Sequence, residues 1–171
     1  MLEALNQCKR HLKDFGGHKQ AAGITLLKKD MDNFKLSINK AAEAMLKAED
    51  LIPSIELDAE VRFCDLNHDL IEQIDNLSPF GCGNPEPIFA CYNLKLKSQP
   101  QIVGRDTLKM WITDGDLTYQ AVGFGMASLK DYITRLGNFD AAFKLSIDNW
   151  EGRNAIQLEI EDIRPSAPCP T

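Results

Sequence analysis

No stretch of this chain approaches the roughly 20 consecutive apolar residues that cross a bilayer. The N-terminal MLEALNQCKR has the spacing of an amphipathic helix and lacks the basic-then-apolar order of an export signal. No membrane partner is expected, and the chain reads as cytoplasmic. Cysteine is sparse: Cys8, Cys64, Cys82, Cys91 and Cys169 are odd in number, and no two stand at Cys-x-x-Cys spacing. That pattern argues against a disulfide framework or a thiolate zinc site and leaves reduced thiols. His11, His18 and His68 are isolated from one another. Asp65, Asp69 and Asp75 fall on the polar face of an expected helix and read as solvated surface, so no metal ligand is assigned. Positive charge is in deficit too, with 19 Lys and Arg against 25 Asp and Glu, a net −6. Taken alone, that balance argues against a nucleic-acid partner.

The deficit is local. Residues 1–50 carry nine basic and seven acidic side chains, residues 51–85 one and seven, and residues 86–171 nine and eleven. The acidity therefore sits in a short middle segment between two nearly neutral pieces, an arrangement compatible with a basic groove elsewhere. The 171 residues suit one medium domain, or a small domain plus a fragment. The 44% hydrophobic content suits a soluble globular core.

Leu2, Leu5, Cys8, Leu12 and Phe15 recur at helical spacing and predict a helix that stops at Gly16-Gly17. Ala21 to Leu27 reads as a short buried strand. Asp30 is placed to cap a second helix with Met31, Phe34, Ile38, Ala41, Ala42 and Met45 on one face. Residues 1–50 thus read as helix, glycine loop, strand and helix, the end of a larger α/β domain. Ile55 to Phe63 alternates as an extended segment, and Leu66, Leu70, Ile74 and Leu77 mark a helix over Asp65 to Leu77. SPFGCGNPEP, Ser78 to Pro87, is an ordered turn. Residues 51–87 are accordingly read as a connector.

From Ile88 the period changes to two. Strands are expected at about 88–98, 102–113, 117–125, 138–147 and 154–163, with a tight turn at Asp114-Gly115 and a helix over Met126 to Leu136. Three strands, a helix and two strands is the order of a five-stranded Greek-key barrel, the OB-fold. The chain is therefore expected to be α+β: a partial α/β piece over 1–50, the connector, a barrel over 88–165 and a loose tail over 166–171.

FGGHKQAAG, Phe15 to Gly23, carries chemistry as well as structure. Gly16 and Gly17 allow a backbone to approach a ligand closely. His18 can donate to a phosphate or carboxylate oxygen. Physically, a glycine-ended helix beside an exposed histidine would account for the same residues.

Gly-Gly-His followed by Ala-Ala-Gly resembles the signature of the DHH-associated domain of DHH-family phosphoesterases, which has a relative in alanyl-tRNA synthetases. The rest of the chain narrows the resemblance to RecJ-type single-strand DNA exonucleases. LSPFGCGNPEPIF (77–89) is similar to the segment leading into their OB domain, and IVGRDTLKMWI (102–112) to its second strand. AVGFGM (121–126) is similar to its third strand, and FKLSIDNWEGRNAIQLEIEDIRP (143–165) to its last hairpin. The resemblance implies that Gly16, Gly17 and His18 contact substrate phosphate or sugar. It also implies a catalytic domain, outside this chain, that binds Mn2+ or Mg2+ through Asp-His-His motifs absent here. The chain is then the C-terminal, substrate-binding part of a 5′→3′ exonuclease of recombination and repair, inactive by itself and with no catalytic residue or cofactor of its own.

An OB barrel grips single strands by combining basic side chains with aromatic faces. Arg105, Lys109, Trp111, Lys144, Trp150 and Arg153 are the candidates for single-stranded DNA. Structural alternatives stand beside them: Trp111 packs under the helix, Trp150 caps the barrel, or Arg105 bridges to Asp106 or Asp114. Two other functional readings remain open. One is a non-catalytic barrel that docks a partner such as single-strand-binding protein, and the other is a DHH-family phosphoesterase acting on short RNA or nucleotides.

Overall fold

The structure is a computed structural model, and it describes residues 1–18, 21–148 and 154–167. It comprises two compact units, Met1–Ile55 and Glu56–Thr171.

In the first unit, α1 (Leu2–Gln7) gives way at Cys8 to a 3-10 turn, Lys9–His11. Strand β1 (Asp14–Gly17) pairs antiparallel with β2 (Ala22–Thr25), and α2 (Met31–Met45) follows. The predicted first helix is therefore too long. Leu12 and Phe15 reach the small core as extended residues, packed against Leu5, Cys8, Phe34 and Ala41. Apolar spacing over so short a run cannot tell a helix from a helix followed by a strand. The strand after the glycines is present but not buried, since Gly23, Ile24 and Thr25 are all exposed. Asp30 occupies the N-cap of α2 without a side-chain capping bond. Phe34, Ile38 and Ala41 face inward from α2, whereas Met31 and Met45 are exposed.

The second unit opens with β3 (Ala59–Glu60), which pairs parallel with β4 (Phe89–Leu96). Helix α3 is His68–Asp75, shorter than the predicted 65–77. Its start is set by Asn67, whose Oδ1 accepts the Leu70 N–H at 2.8 Å. Asp65 lies before it, in a 3-10 turn where its carboxylate accepts from Arg62. Phe63, Leu66, Ile71 and Ile74 enter the same core as the barrel strands, so residues 56–87, read from sequence as a connector, pack within this unit. Leu77 is exposed, because the helix has already ended.

The predicted second strand is a hairpin. Strand β5 (Gln101–Val103) turns back through Gly104 into β6 (Thr107–Thr113). Strand β7 (Thr118–Phe124) follows the Asp114-Gly115 turn, in which Asp114 Oδ1 accepts the N–H groups of Asp116 and Leu117. Helix α4 (Lys130–Arg135) places Ile133 fully inside. Strands β8 (Phe139–Asp148) and β9 (Ala155–Pro165) complete the sheet.

The sheet order is β3-β4-β8-β9-β7-β6-β5, with a further pairing of β4 to β6. That pairing closes β4, β6, β7, β9 and β8 into a ring, with β7 and β9 parallel and the other neighbours antiparallel. This is the five-stranded Greek-key barrel expected from the strand order. Its interior is filled by Leu94, Leu108, Met110, Ile112, Phe139, Phe143 and Leu158, each at most 1% exposed. Because strands alternate sides, the residues between these point outward.

Candidate nucleic-acid interface

The Gly-Gly-His segment forms a hairpin end and not a helix cap. Gly16 faces Gly23 and Gly17 faces Ala22 across β1 and β2, and the His18 N–H donates to the Ala21 carbonyl at 2.8 Å. Gly17 is required by this geometry. Its φ is +146°, and a Cβ there would lie 2.5 Å from Ala22 Cα. Gly16 has nothing within 4 Å of such a Cβ, which leaves its backbone open to a ligand. His18 is exposed beside it. Lys19, Gln20, Trp150 and Arg153 lie outside the described residues.

On the barrel, register across β5, β6, β7 and β9 assembles an outward face. Val103, Thr107 and Phe124 form one row, and Gln101, Lys109, Val122 and Glu159 the next. Trp111, Gln120 and Gln157 form the third. Trp111 is 44% and Phe124 65% exposed, with Lys109 half-buried in the row between them. Four residues of strand separate the outer rows, about 13 Å. Trp111 therefore does not lie under a helix. Among the described residues Arg105 makes no ion pair. It sits in the β5–β6 turn beyond the Phe124 end of the face. Strands two and three of an OB barrel, with the loops joining strands one and two and strands four and five, are where such barrels bind oligonucleotides. Here those strands are β6 and β7.

Lys144 stands apart from this row. Its Nζ lies 2.9 Å from Glu161 Oε1 and 3.7 Å from Glu86 Oε2. The hydrogen bond and charge of Glu161, aided by Glu86, raise its pKa. Its charge is thus committed to those two glutamates on the outside of the barrel.

Beside Trp111 is a cleft of about 340 Å³, lined by His68, Trp111, Tyr119, Gln120, Asp148 and Ile156 among others. The Gln120 amide donates from Nε2 to Asp148 Oδ2 at 3.0 Å. The Tyr119 hydroxyl donates to the Leu66 carbonyl at 2.9 Å, and His68 Nε2 is 2.9 Å from the Asn154 carbonyl.

Sequence reasoning missed Phe124 and Gln120. Alternation along β7 puts Gln120, Val122 and Phe124 on one side, and the Asp114-Gly115 turn registers them against Trp111, Lys109 and Thr107.

At the far end of β8, Asp140 is 7% exposed. Burial alone would raise its pKa. Hydrogen bonds from Ser166 Oγ, the Asn93 N–H and Arg164 Nε, together with the Arg164 charge, outweigh burial and hold it below the usual carboxylate range.

Among the described residues, no three His, Cys, Asp or Glu come together as a metal site. No helix among them is long and apolar enough to cross a membrane.

The single-stranded-DNA-specific exonuclease RecJ of Bacillus subtilis is 32% identical over 163 residues, a match covering 95% of this chain and 21% of that protein. The protein of that name from Dickeya dadantii is 28% identical over 167 residues, covering 96% and 29%. The chain thus spans less than a third of the length of these relatives. The crystal structure of RecJ from Thermus thermophilus in complex with Mn2+ superposes with a TM-score of 0.77 at 23% identity, over 97% of this chain and 24% of that one. Its counterpart with Mg2+ gives a TM-score of 0.75 at 23% identity, over 98% and 25%. These two likenesses concern the fold. The RecJ OB domain family model matches residues 57–162, and with the closed barrel in place the chain belongs to that family.

Proposed function

We propose that the chain is the C-terminal, substrate-gripping part of a RecJ-type single-stranded-DNA exonuclease that acts 5′→3′ in recombination and repair. In this reading residues 1–50 end a DHH-associated domain, and Gly16, Gly17 and His18 meet the substrate's phosphate or sugar. The barrel holds the strand on the outward face of β6 and β7. The observation that carries the reading is the outward face on which exposed Trp111 and Phe124 stand in its two outer rows and Lys109 in the row between them. Aromatic faces stack bases without regard to sequence, and the lysine neutralises a phosphate. Mn2+ or Mg2+, present in the solved relatives, does not fit the residues described here. Hydrolysis is assigned to a catalytic domain outside this chain, and the chain alone is inactive.

Titration of the chain with a labelled single-stranded oligonucleotide at low and moderate salt tests this. Binding that weakens with salt is expected, and Lys109→Gln should lower the slope of log K against log salt by about 0.7, the increment for one phosphate contact on a single strand. Absence of binding, or binding indifferent to salt, would overturn the assignment. A second reading, docking of single-strand-binding protein, draws on the edge strand β5, whose Ile102 and Val103 are about half exposed. Val103→Asp should abolish that contact in a pull-down if the edge is used.

A further inference from the structure

We propose that a single strand lies on this face with its phosphates on the β4 side, held by Lys95 and Lys97, and its bases turned across Trp111 toward β7 and β9. This deepens the single-strand reading above and rests on it.

Three features of the face point to that arrangement. The first is position. Strand β6 has the end of β4 on one side and β7 on the other. Leu94 is fully buried and Leu96 packs against the barrel core, so by alternation Lys95 and Lys97 turn outward. Lys95 pairs with Thr113, and the Lys97 N–H donates to the Trp111 carbonyl at 2.8 Å, which sets Lys97 directly beside Trp111. Neighbouring strands are about 5 Å apart. A nucleotide joins its phosphate to its base through one sugar, so an ammonium and an indole on adjacent strands meet the two ends of one nucleotide.

The second is charge. The chain carries a net −6, yet residues 93–113 hold Lys95, Lys97, Arg105 and Lys109 against Asp106 alone. Strand β7 has no charged side chain, and residues 155–163 of β9 have Glu159, Glu161 and Asp162 with no Lys or Arg. A polyanionic backbone is drawn to the first flank and repelled from the second.

The third is availability. Lys95 and Lys97 are exposed, and among the described residues neither is in an ion pair, whereas Lys144 is held by two glutamates. On the opposite flank of Trp111 lies the cleft of about 340 Å³, whose lining includes Trp111, Tyr119 and Ile156. That flank gives a base apolar surface to cover and gives a phosphate nothing to pair with.

The test measures the salt dependence of oligo(dT) binding to the intact chain by fluorescence anisotropy. Lys95→Gln and Lys97→Gln should each lower the slope of log K against log salt by about 0.7, and the double variant by about 1.4. Trp111→Ala should weaken binding with the slope unchanged. Gln157→Lys, which adds a cation on the β9 flank, should leave the slope unchanged as well. Circular dichroism melts of each variant separate loss of contact from loss of fold. Salt-dependent binding whose slope is the same in the parent and in both folded lysine variants overturns the inference and leaves the single-strand reading standing. A slope that rises by about 0.7 in Gln157→Lys places phosphates on the β9 flank and also overturns it. A shift in one lysine variant alone removes the other lysine from the track. Failure of the parent chain to bind oligo(dT) removes the underlying reading and this inference with it.

Discussion

Trp111→Ala separates a binding role from a packing role at one position. The indole is 44% exposed on the outward face of β6, whereas its neighbours Met110 and Ile112 are 1% and 0% exposed in the barrel interior. Truncating Trp111 leaves those interior contacts in place, so the loss of folding stability should be about 1 kcal/mol or less. A base stacked on an aromatic side chain is worth about 1–3 kcal/mol, so affinity for a single strand should fall by about 5- to 150-fold. Met110→Ala is the opposing control. It removes a buried side chain, which costs about 2–5 kcal/mol of stability, while leaving the outward face intact. Anisotropy titration at low salt measures the first quantity and a thermal or urea melt the second. Trp111→Ala that binds within about twofold of the parent while its melt is unchanged would refute the placement of Trp111 in the interface. A melt that drops as far for Trp111→Ala as for Met110→Ala would refute the claim that the indole is peripheral to the core.

Lys144→Met should leave single-strand affinity within about twofold of the parent, since the ammonium is already paired with Glu161 and Glu86; a large loss in the same titration would place it at the interface. Gly17→Ala should destabilise the β1–β2 hairpin by about 1–3 kcal/mol, because φ is +146° and the added methyl meets the Ala22 backbone. Gly16→Ala should be tolerated, and hydrogen exchange at the Gly23 and Thr25 amides reads the difference. Asp140→Asn should lower stability at neutral pH. The Asp140 carboxylate titrates below its ordinary value of 3.8, so its contribution is fully present above that value and is lost as pH falls through the lower folded one. Urea melts should therefore show the two proteins converging in strong acid, and a constant gap down to the lowest pH would contradict the assignment.

Much of the barrel could be read from alternation. Leu108, Met110 and Ile112 against Lys109 and Trp111 give the two sides of β6 directly, since successive residues of a strand point oppositely. The break at Gly104 inside the expected 102–113 strand is not legible in the pattern, because a hairpin of two short strands has the same local period as one long strand. The first unit was harder. Its apolar spacing fits a helix as far as Phe15, yet the chain turns extended at Leu12, where tertiary pairing of β1 with β2 outweighs local pattern. The glycines fit a helix end for the same reason, although close approach of strands at Gly17 is what requires one there.

By itself the sequence determined the period of each strand, the side on which each residue falls and the order of elements from which the barrel follows. Those properties are local, set by side-chain alternation and turn chemistry. Closure of β4 onto β6, the parallel pairing of β7 with β9 and the commitment of Lys144 to two glutamates were decided only in the tertiary structure. So was the meeting of Trp111, Gln120 and Asp148 at one cleft. Each joins residues distant along the chain, and which charges pair and which remain available depends on the register in which those strands meet.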